Sequence, residues 1–389
     1  MSIVRMVILG LLMTAMAHGE PVQYDVQLDV ISKGFDKKTC WVHPRAGTIP
    51  GNPPKVVLTM QKLLLSGSDI FYALNEMRTD DRGANWSGPI EHANLGRRPN
   101  EQGGTSVVCD FTPKWHAKTG KLLGTGHSAM YNAENKLVHE RPRETAYAVY
   151  DPVARTWSTW QGVKMPDDPI FYNSGASCTQ RIDLDNGDIL LPIYCKSAEG
   201  GPYSTTVLRC RFDGETLHYV EHGNFMTVDI QRGFVEPSLA KVGERFFLTI
   251  RNDESGYVTY SADGLQFDTP KMWTFDDGKE LGSYNTQQHW VTHGDTLFLV
   301  YTRRGADNDH VFRHRAPLFI AEVDQETLQV KRATERVLVP ENGARQGNFA
   351  VTRVSDAETW VTVAEWMQPV GIEKYGSDNR VYVARIQWK

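Results

Sequence analysis

Apolar and polar residues alternate along most of the chain in short runs, which are separated by Gly, Asp and Asn residues. Alternation with a period of two is typical of β-strands that bury one face. No stretch sustains the three-to-four spacing of apolar residues that marks a long amphipathic helix. The pattern therefore predicts an all-β protein.

One unit recurs along the chain: a strand, a turn, and a strongly apolar strand that ends in polar or charged residues. Four clear copies and two fainter ones span residues 177–196, 236–251, 288–303, 348–365, 107–126 and 56–74. Their starts lie about fifty to seventy residues apart, which suits one four-stranded blade per copy. Six copies predict a six-bladed β-propeller, with the strand at 380–388 closing the ring beside the N-terminal segment.

Two turns carry a more specific motif. Thr79–Trp86 has the form Ser/Thr-x-Asp-x-Gly-x-x-aromatic, and Ser261–Phe267 is a shortened version of it. Both resemble the Asp boxes of the sialidase (neuraminidase) superfamily, which is built on six-bladed propellers. In such a turn the Asp carboxylate accepts backbone N–H groups and the aromatic side chain packs between sheets. We therefore expect Asp81 and Asp263 to be structural and not catalytic.

The resemblance also implies a site. Sialidases bind the carboxylate of their sugar with three arginines, because a planar guanidinium matches a carboxylate bidentately. Arg45 is expected to be the first of these arginines. Glu236 and Arg251, one hairpin apart, resemble the family's glutamate and second arginine. Arg303, at the end of an apolar strand, is favoured as the third arginine, with Arg315 as its alternative.

The catalytic residues follow the family pattern only in part. Asp69 occupies the place of the family's acid/base aspartate, and Glu236 that of its base. The family's nucleophile is a tyrosine in the blade after the third arginine. Residues 316–374 contain no tyrosine, so Tyr375 is the candidate, since Tyr284 and Tyr301 lie upstream. This departure leaves sialic acid itself open, while an acidic sugar fits.

A basic segment supports an acidic ligand. Residues 301–315 contain four arginines and two histidines, and His310 is expected to contact substrate. His310 and His314 are four residues apart, but on a strand or loop this spacing lacks the fixed geometry of a helical metal-ligand pair. We expect neither a metal nor another cofactor.

The net charge and the N-terminal sequence limit the partners and the location that we expect for the protein. The formal net charge of −5 gives no global basic surface, so a nucleic-acid partner is not expected. Arg5, the apolar run at 6–16 and the small residues up to Ala17 predict a signal peptide over residues 1–17, followed by one propeller domain at 18–389. The run is too short for a membrane anchor, so we expect a secreted or periplasmic protein without stable membrane insertion. The five cysteines do not form a disulfide framework.

Three functions remain open at this point. The first is a sialidase-like exo-glycosidase that acts on an acidic sugar of a glycan or polysaccharide. The second is a polysaccharide lyase, in which an arginine neutralises a uronate carboxylate while His310 or His43 and Tyr301 move protons. The third is a glycan-binding propeller without catalysis, since the fold does not determine activity.

Overall fold

Six antiparallel β-sheets form a closed ring in the computed structural model, which describes residues 22–67, 69–139 and 141–389. The inner strands of neighbouring blades contact each other around the ring, and blade 6 contacts blade 1. The predicted all-β six-bladed propeller is therefore confirmed. The expected signal peptide, residues 1–17, lies outside the described residues.

The blades use successive parts of the chain, with the first strand of each blade nearest the axis. Blade 1 comprises Thr39–Ile49, Lys55–Leu64, Phe71–Thr79 and Ser87–Glu91. Blade 2 comprises Arg98–Pro99, Thr105–His116, Lys121–Tyr131, Thr145–Asp151, Thr156–Trp157 and Gln161–Gly162. Blade 3 comprises Asn173–Gly175, Ile182–Asp183, Asp188–Lys196, Ser204–Phe212 and Leu217–His222.

The second half of the ring repeats this order. Blade 4 comprises Val235–Val242, Arg245–Arg251, Gly256–Ser261 and Lys271–Met272. Blade 5 comprises His289–His293, Thr296–Tyr301, Leu318–Asp324, Gln329–Val330 and Arg336–Val339. Blade 6 comprises Ala350–Ser355, Glu358–Ala364, Arg380–Trp388 and Tyr24–Lys33.

The helices are short and lie in loops. They are the 3₁₀ turns Ala93–Leu95, Pro169–Phe171, Phe312–His314, Arg332–Thr334 and Ile372–Tyr375. Among the described residues, no helix has the length and apolar character that crossing a bilayer requires.

In five of its six copies, the repeated sequence unit corresponds to the inner part of a blade and the long apolar strand that follows it. The copy at 56–74 differs, because it covers the second and third strands of blade 1, whose inner strand is Thr39–Ile49. The second strands are apolar almost throughout, since each is covered on both faces by neighbouring blades. Glu358–Ala364, for example, is buried at every position.

The ring closes as the sequence predicts. Tyr24–Lys33 pairs antiparallel with Arg380–Trp388, in a register that opposes Tyr24 to Trp388. The same C-terminal strand pairs on its other side with Glu358–Ala364. The first and the last strand of the described residues therefore belong to one sheet, and this sheet joins the last blade to the first.

The hydrophobic core is divided into wedges that lie between adjacent blades. Trp360, fully buried, packs between blades 6 and 1, and Trp290 packs between blades 4 and 5. The two motif turns contribute to these wedges. Trp86 stacks against Trp360 at 5.9 Å between ring centroids, and the carboxylate of Asp81 accepts the backbone N–H of Asn85 at 2.9 Å. All five cysteines are buried and free.

Candidate active site

A repeated backbone feature builds one end of the central channel. His43, Asp110, Cys178 and Glu236 occupy equivalent places on the inner strands of blades 1 to 4, and each has a left-handed φ between 49° and 55°. The strand register shifts at this point in blades 1, 2 and 4, which marks a β-bulge. A bulge re-aims the side chain it carries. Four blades therefore turn one polar residue each towards the axis at the same level.

Asp110 is the centre of a buried polar network and was not identified from the sequence. Its carboxylate accepts hydrogen bonds from Ser177 Oγ at 2.8 Å, from Cys178 Sγ at 3.1 Å and from His127 Nε2 at 3.1 Å. Arg45 Nη2 lies 3.5 Å from the same carboxylate. Burial opposes ionisation of Asp110, but its interactions with His43, His127 and Arg45 outweigh burial and lower its pKa well below the usual range. Aligning the repeats by the bulges that the structure shows puts Asp110 level with Glu236.

The two histidines of the network are neutral at physiological pH. Burial lowers the pKa of His127 to about 4, and it also lowers that of His43. The carboxylates of Asp110, Asp69 and Glu236 oppose the shift at His43. All three carboxylates therefore lie within electrostatic range of one imidazole, which places Asp69 at the same end of the channel as Glu236.

Glu236 and Arg251 form the ion pair that the sequence predicts to be adjacent. Arg251 Nη1 donates to Glu236 Oε1 at 2.6 Å, and both residues are more than nine-tenths buried. Glu236 Oε2 is buried and has no hydrogen-bond partner. Arg251 Nη2 donates to Asp253 at 3.2 Å and to Asn285 Oδ1 at 2.7 Å. One carboxylate oxygen is thus held in place while the other stays free to take a proton.

Arg315, and not Arg303, reaches this cluster. Arg315 donates to the backbone oxygen of Asn285, the residue that also binds Arg251. Arg303 instead forms a bidentate pair with Glu335, with N···O distances of 2.8 and 2.7 Å. The sequence favoured Arg303 because it ends a strand as Arg251 does, but a carboxylate 32 residues further along the chain binds its guanidinium.

Arg345 is a further arginine that the sequence reasoning missed. It is 8 % exposed and stacks on Trp366, with its guanidinium carbon 4.5 Å from the ring centroid. Burial lowers its pKa to about 10, and the charge of Asp69 opposes this shift. Burial, followed by repulsion from Arg251 and Arg345, also lowers the pKa of Arg315. Among the described residues, neither Arg315 nor Arg345 has a carboxylate oxygen within 4.0 Å.

The remaining predicted residues lie on the rim. Asp69 is exposed, and its backbone oxygen accepts the hydroxyl group of Tyr131 at 2.8 Å. His310 pairs with Glu341 at 3.0 Å and lies 4.9 Å from the ring of Tyr375. Tyr375 is 43 % exposed, and in the described structure its hydroxyl makes no hydrogen bond to Glu236 or Arg251. The structure does not bring Tyr375 into the buried cluster.

A different tyrosine lies beside Glu236. Tyr194, on the second strand of blade 3, is 6 % exposed and accepts a hydrogen bond from Arg143 Nη1 at 2.7 Å. Burial raises its pKa to about 12; Arg143 opposes this shift and Glu236 adds to it. The sequence contained no signal for this placement, because Tyr194 precedes Glu236 by a whole blade.

His310 and His314, which are four residues apart, take separate partners. His310 Nε2 lies 3.0 Å from a carboxylate oxygen of Glu341, while His314 Nδ1 shares a hydrogen bond with the Tyr284 hydroxyl group at 2.7 Å. A different group, Cys109 with Asp110 and His127, places three potential ligand atoms within 4.8 Å of one another. Positive charge from Arg141 and Arg143 acts on that group and disfavours a bound cation there.

The opposite end of the channel is a wider space with different electrostatics. The later residues of the inner strands surround a cavity of about 930 Å³. Its wall includes Arg181 and Arg353, which pair with Asp183 at 2.9 Å and with Asp356 at 2.6 Å. These two guanidinium groups are therefore neutralised at that end, whereas Arg315 and Arg345 at the Glu236 end are not.

The neutral state of His127 predicts a pH dependence of stability. Its pKa is about 4 in the folded protein against an ordinary value of 6.5, so the unfolded chain binds more protons between these values. The contribution of His127 to the free energy of unfolding is therefore fully present above pH 6.5. It decreases by about 3 kcal/mol as the pH falls from 6.5 to 4.

Urea unfolding at pH 7 and pH 4.5 measures this change. We expect His127→Gln to lose less stability on acidification than the unmodified protein. The matched control His218→Gln, at an exposed histidine, should leave the difference unchanged. Equal acid sensitivity of all three proteins would exclude His127 as a cause.

Comparison with known proteins agrees with this fold. No family model matches the chain, and neither does any curated protein sequence. Among solved structures, a Dyadobacter fermentans protein of unknown function covers 94 % of the chain and 99 % of its own length, with a TM-score of 0.66 and 14 % identity. Trypanosoma rangeli sialidase in complex with sialic acid matches 94 % of the chain with a TM-score of 0.61 and 14 % identity.

A third similar structure is the Hadza microbial sialidase Hz136, with a TM-score of 0.59 and 13 % identity over 90 % of the chain. The chain spans 59 % of the Trypanosoma rangeli protein and 66 % of Hz136. Identities this low establish the fold and leave the activity open. The chain is an all-β, six-bladed propeller of the kind found in sialidases.

Proposed function

We propose that the protein is an exported, sialidase-like exo-glycosidase that acts on an acidic sugar of a glycan or polysaccharide. The observation that carries this proposal is the cluster around Asn285, where Arg251 and Arg315 meet beside Glu236. Buried arginines are normally paired with carboxylates, because an unpaired buried charge costs several kcal/mol. Arg315 and Arg345 have no such partner among the described residues, so an anionic ligand would supply it.

The roles that we propose for the site residues follow from their burial and their hydrogen bonds. Arg251, Arg315 and Arg345 hold the carboxylate of the sugar. Glu236 is oriented by Arg251 through Oε1 and takes a proton with its free Oε2. Asp69, exposed on the rim, donates a proton to the leaving-group oxygen.

Product analysis tests the proposal against its alternatives. The purified protein is incubated with 4-methylumbelliferyl glycosides of sialic acid and of hexuronic acids, and with uronate-containing polysaccharides. Hydrolysis releases fluorophore, or fragments heavier in sum by one water. Elimination gives unsaturated products that absorb in the ultraviolet, and would identify a lyase instead. Tight binding of an acidic glycan without turnover would identify a glycan-binding propeller.

The arginine assignment gives a second test with a built-in control. Arg315→Ala removes a charge-assisted contact of roughly 1.5–3 kcal/mol, so we expect the dissociation constant for the acidic sugar to rise about 10- to 100-fold. Arg303→Ala removes a partly buried guanidinium that is already paired with Glu335, and should leave affinity within about twofold. Calorimetric titration of both variants with the acidic sugar measures the two dissociation constants and shows which arginine binds it. If Arg303→Ala alone weakened binding, Arg303 would be the third carboxylate-binding arginine, as the sequence predicts.

A further inference from the structure

Among the described residues, a third buried arginine without a carboxylate partner lies on the other side of the channel. Arg143 is 6 % exposed, and its Nη1 donates to the hydroxyl group of Tyr194. Its Nε and Nη2 atoms are buried and make no hydrogen bond. Among the described residues, no carboxylate oxygen lies within 4.0 Å of its guanidinium. The free Nε–Nη2 edge is the edge with which arginine binds an oxyanion bidentately.

The fold holds Arg143 firmly in this position. Its backbone N–H donates to Tyr172 O at 3.1 Å, and the residue bridges to Asn173, so it is anchored where blade 2 meets blade 3. A Cβ atom on Gly175 would approach His127 Cβ to 2.6 Å and Arg143 Nε to 3.3 Å. Glycine at this point therefore leaves the space that the guanidinium occupies.

Tyrosine rings compensate the charge of Arg143 only in part. The guanidinium carbon lies 4.1 Å from the ring centroid of Tyr194 and 5.6 Å from that of Tyr203. Such contacts offset only part of the free energy that burying a charge costs. The phenol of Tyr194 is not a counter-ion, because burial keeps it protonated.

The net charge of the buried groups at this end of the channel also favours a ligand with more than one anionic group. The Arg, Asp and Glu residues at this end that are more than nine-tenths buried are Arg45, Arg143, Arg251, Arg315, Arg345, Asp110, Glu236 and Glu365. Five arginines against three carboxylates leave a net charge of +2. A ligand with one carboxylate would leave +1. In a six-bladed ring the junction of blades 2 and 3, which holds Arg143, lies opposite the junction of blades 5 and 6, which holds Arg315 and Arg345.

We propose that the ligand of this site carries a second anionic group, a sulfate ester or a second carboxylate, and that Arg143 binds it with its Nε–Nη2 edge across the axis from Arg315. The substrate class is then an acidic sugar with an additional anionic substituent. This inference rests on the proposed function, because it concerns the same site.

Binding of three probes tests the proposal by calorimetry. They are a methyl glycoside of a hexuronic acid, its sulfate ester, and a disaccharide of two hexuronic acids. We expect the sulfated or the dicarboxylate probe to bind 10- to 100-fold more tightly than the simple uronide, and which of the two does so identifies the anion.

Variants assign this gain to its residue. Arg143→Gln should abolish the preference and leave the simple uronide within about twofold, whereas Arg315→Ala should weaken all three probes. Arg143→Lys keeps the charge without the bidentate edge and should keep part of the preference. Arg155→Gln, at an exposed arginine, is the matched control. Equal affinity for the three probes, or equal weakening of all by Arg143→Gln, would overturn the proposal.

Inorganic sulfate separates failure of this inference from failure of the proposed function. Thermal unfolding is compared in sodium sulfate and in sodium chloride of equal ionic strength. General stabilisation by sulfate acts on every variant alike, whereas specific binding adds a further gain in the unmodified protein. A gain that Arg143→Gln abolishes supports the anion site even if no acidic sugar is bound. Identical gains in both proteins would count against it.

Discussion

Glu236→Gln is expected to lower turnover of the acidic substrate by about 100- to 10,000-fold while leaving its affinity and the stability of the fold nearly unchanged. General acid–base catalysis contributes rate factors of about that size. The amide keeps an oxygen that accepts from Arg251 Nη1, so the geometry of the pair is retained. The removed property is the ability of the free carboxylate oxygen to take a proton.

Steady-state kinetics with a fluorogenic acidic glycoside measure turnover, and calorimetry measures affinity. Glu341→Gln is the matched control, because Glu341 is a rim glutamate whose side chain contacts His310 and the backbone N–H of Gly343. The control should keep turnover within about twofold. Full activity of Glu236→Gln would remove Glu236 from the reaction, even though it lies in the buried cluster.

Removal of residues 381–389 is expected to abolish soluble folding. The deleted strand pairs with both Glu358–Ala364 and Tyr24–Lys33, so its loss opens the ring and exposes two strand edges. It also removes fully buried side chains from the wedges that flank blade 6, among them Val381 and Ile386. Exposed edges and lost core together favour aggregation over a truncated native state.

The soluble fraction on expression and the circular dichroism of any recovered protein measure this effect. Deletion of Lys389 alone is the control, since its exposed ammonium group pairs only with the exposed carboxylate of Asp25. That protein should fold normally. A monomeric 1–380 chain with a cooperative unfolding transition would show that the ring does not need its closing strand.

Local pattern was sufficient to predict the fold. Alternating residues, turns and the repeat of about fifty to seventy residues reflect contacts within one blade, and each blade is a contiguous part of the chain. For the same reason the pair of Glu236 and Arg251 was recognisable. The two residues are separated by a single hairpin, and Val235 opposes Arg251 in its register.

Contacts between distant parts of the chain were not predictable in this way. Arg303 and Arg315 lie in the same basic segment, and the sequence favoured Arg303. In the structure Glu335 binds Arg303, while the turn Phe312–His314 directs Arg315 towards Asn285. Tyr375 remains on the rim, where it stacks against His310. These outcomes depend on which residues contact each guanidinium group or ring in the folded protein. Such contacts join residues that are distant in sequence.

Composition and periodicity thus determined the class of fold and its number of blades, while the acidic ligand stays a prediction. The tertiary structure decided which side chains share the site, because the bulges at His43, Asp110 and Glu236 change backbone direction at single residues. A strand pattern with a period of two carries no record of such a change. Side chains from blades far apart in sequence converge only once the ring has closed.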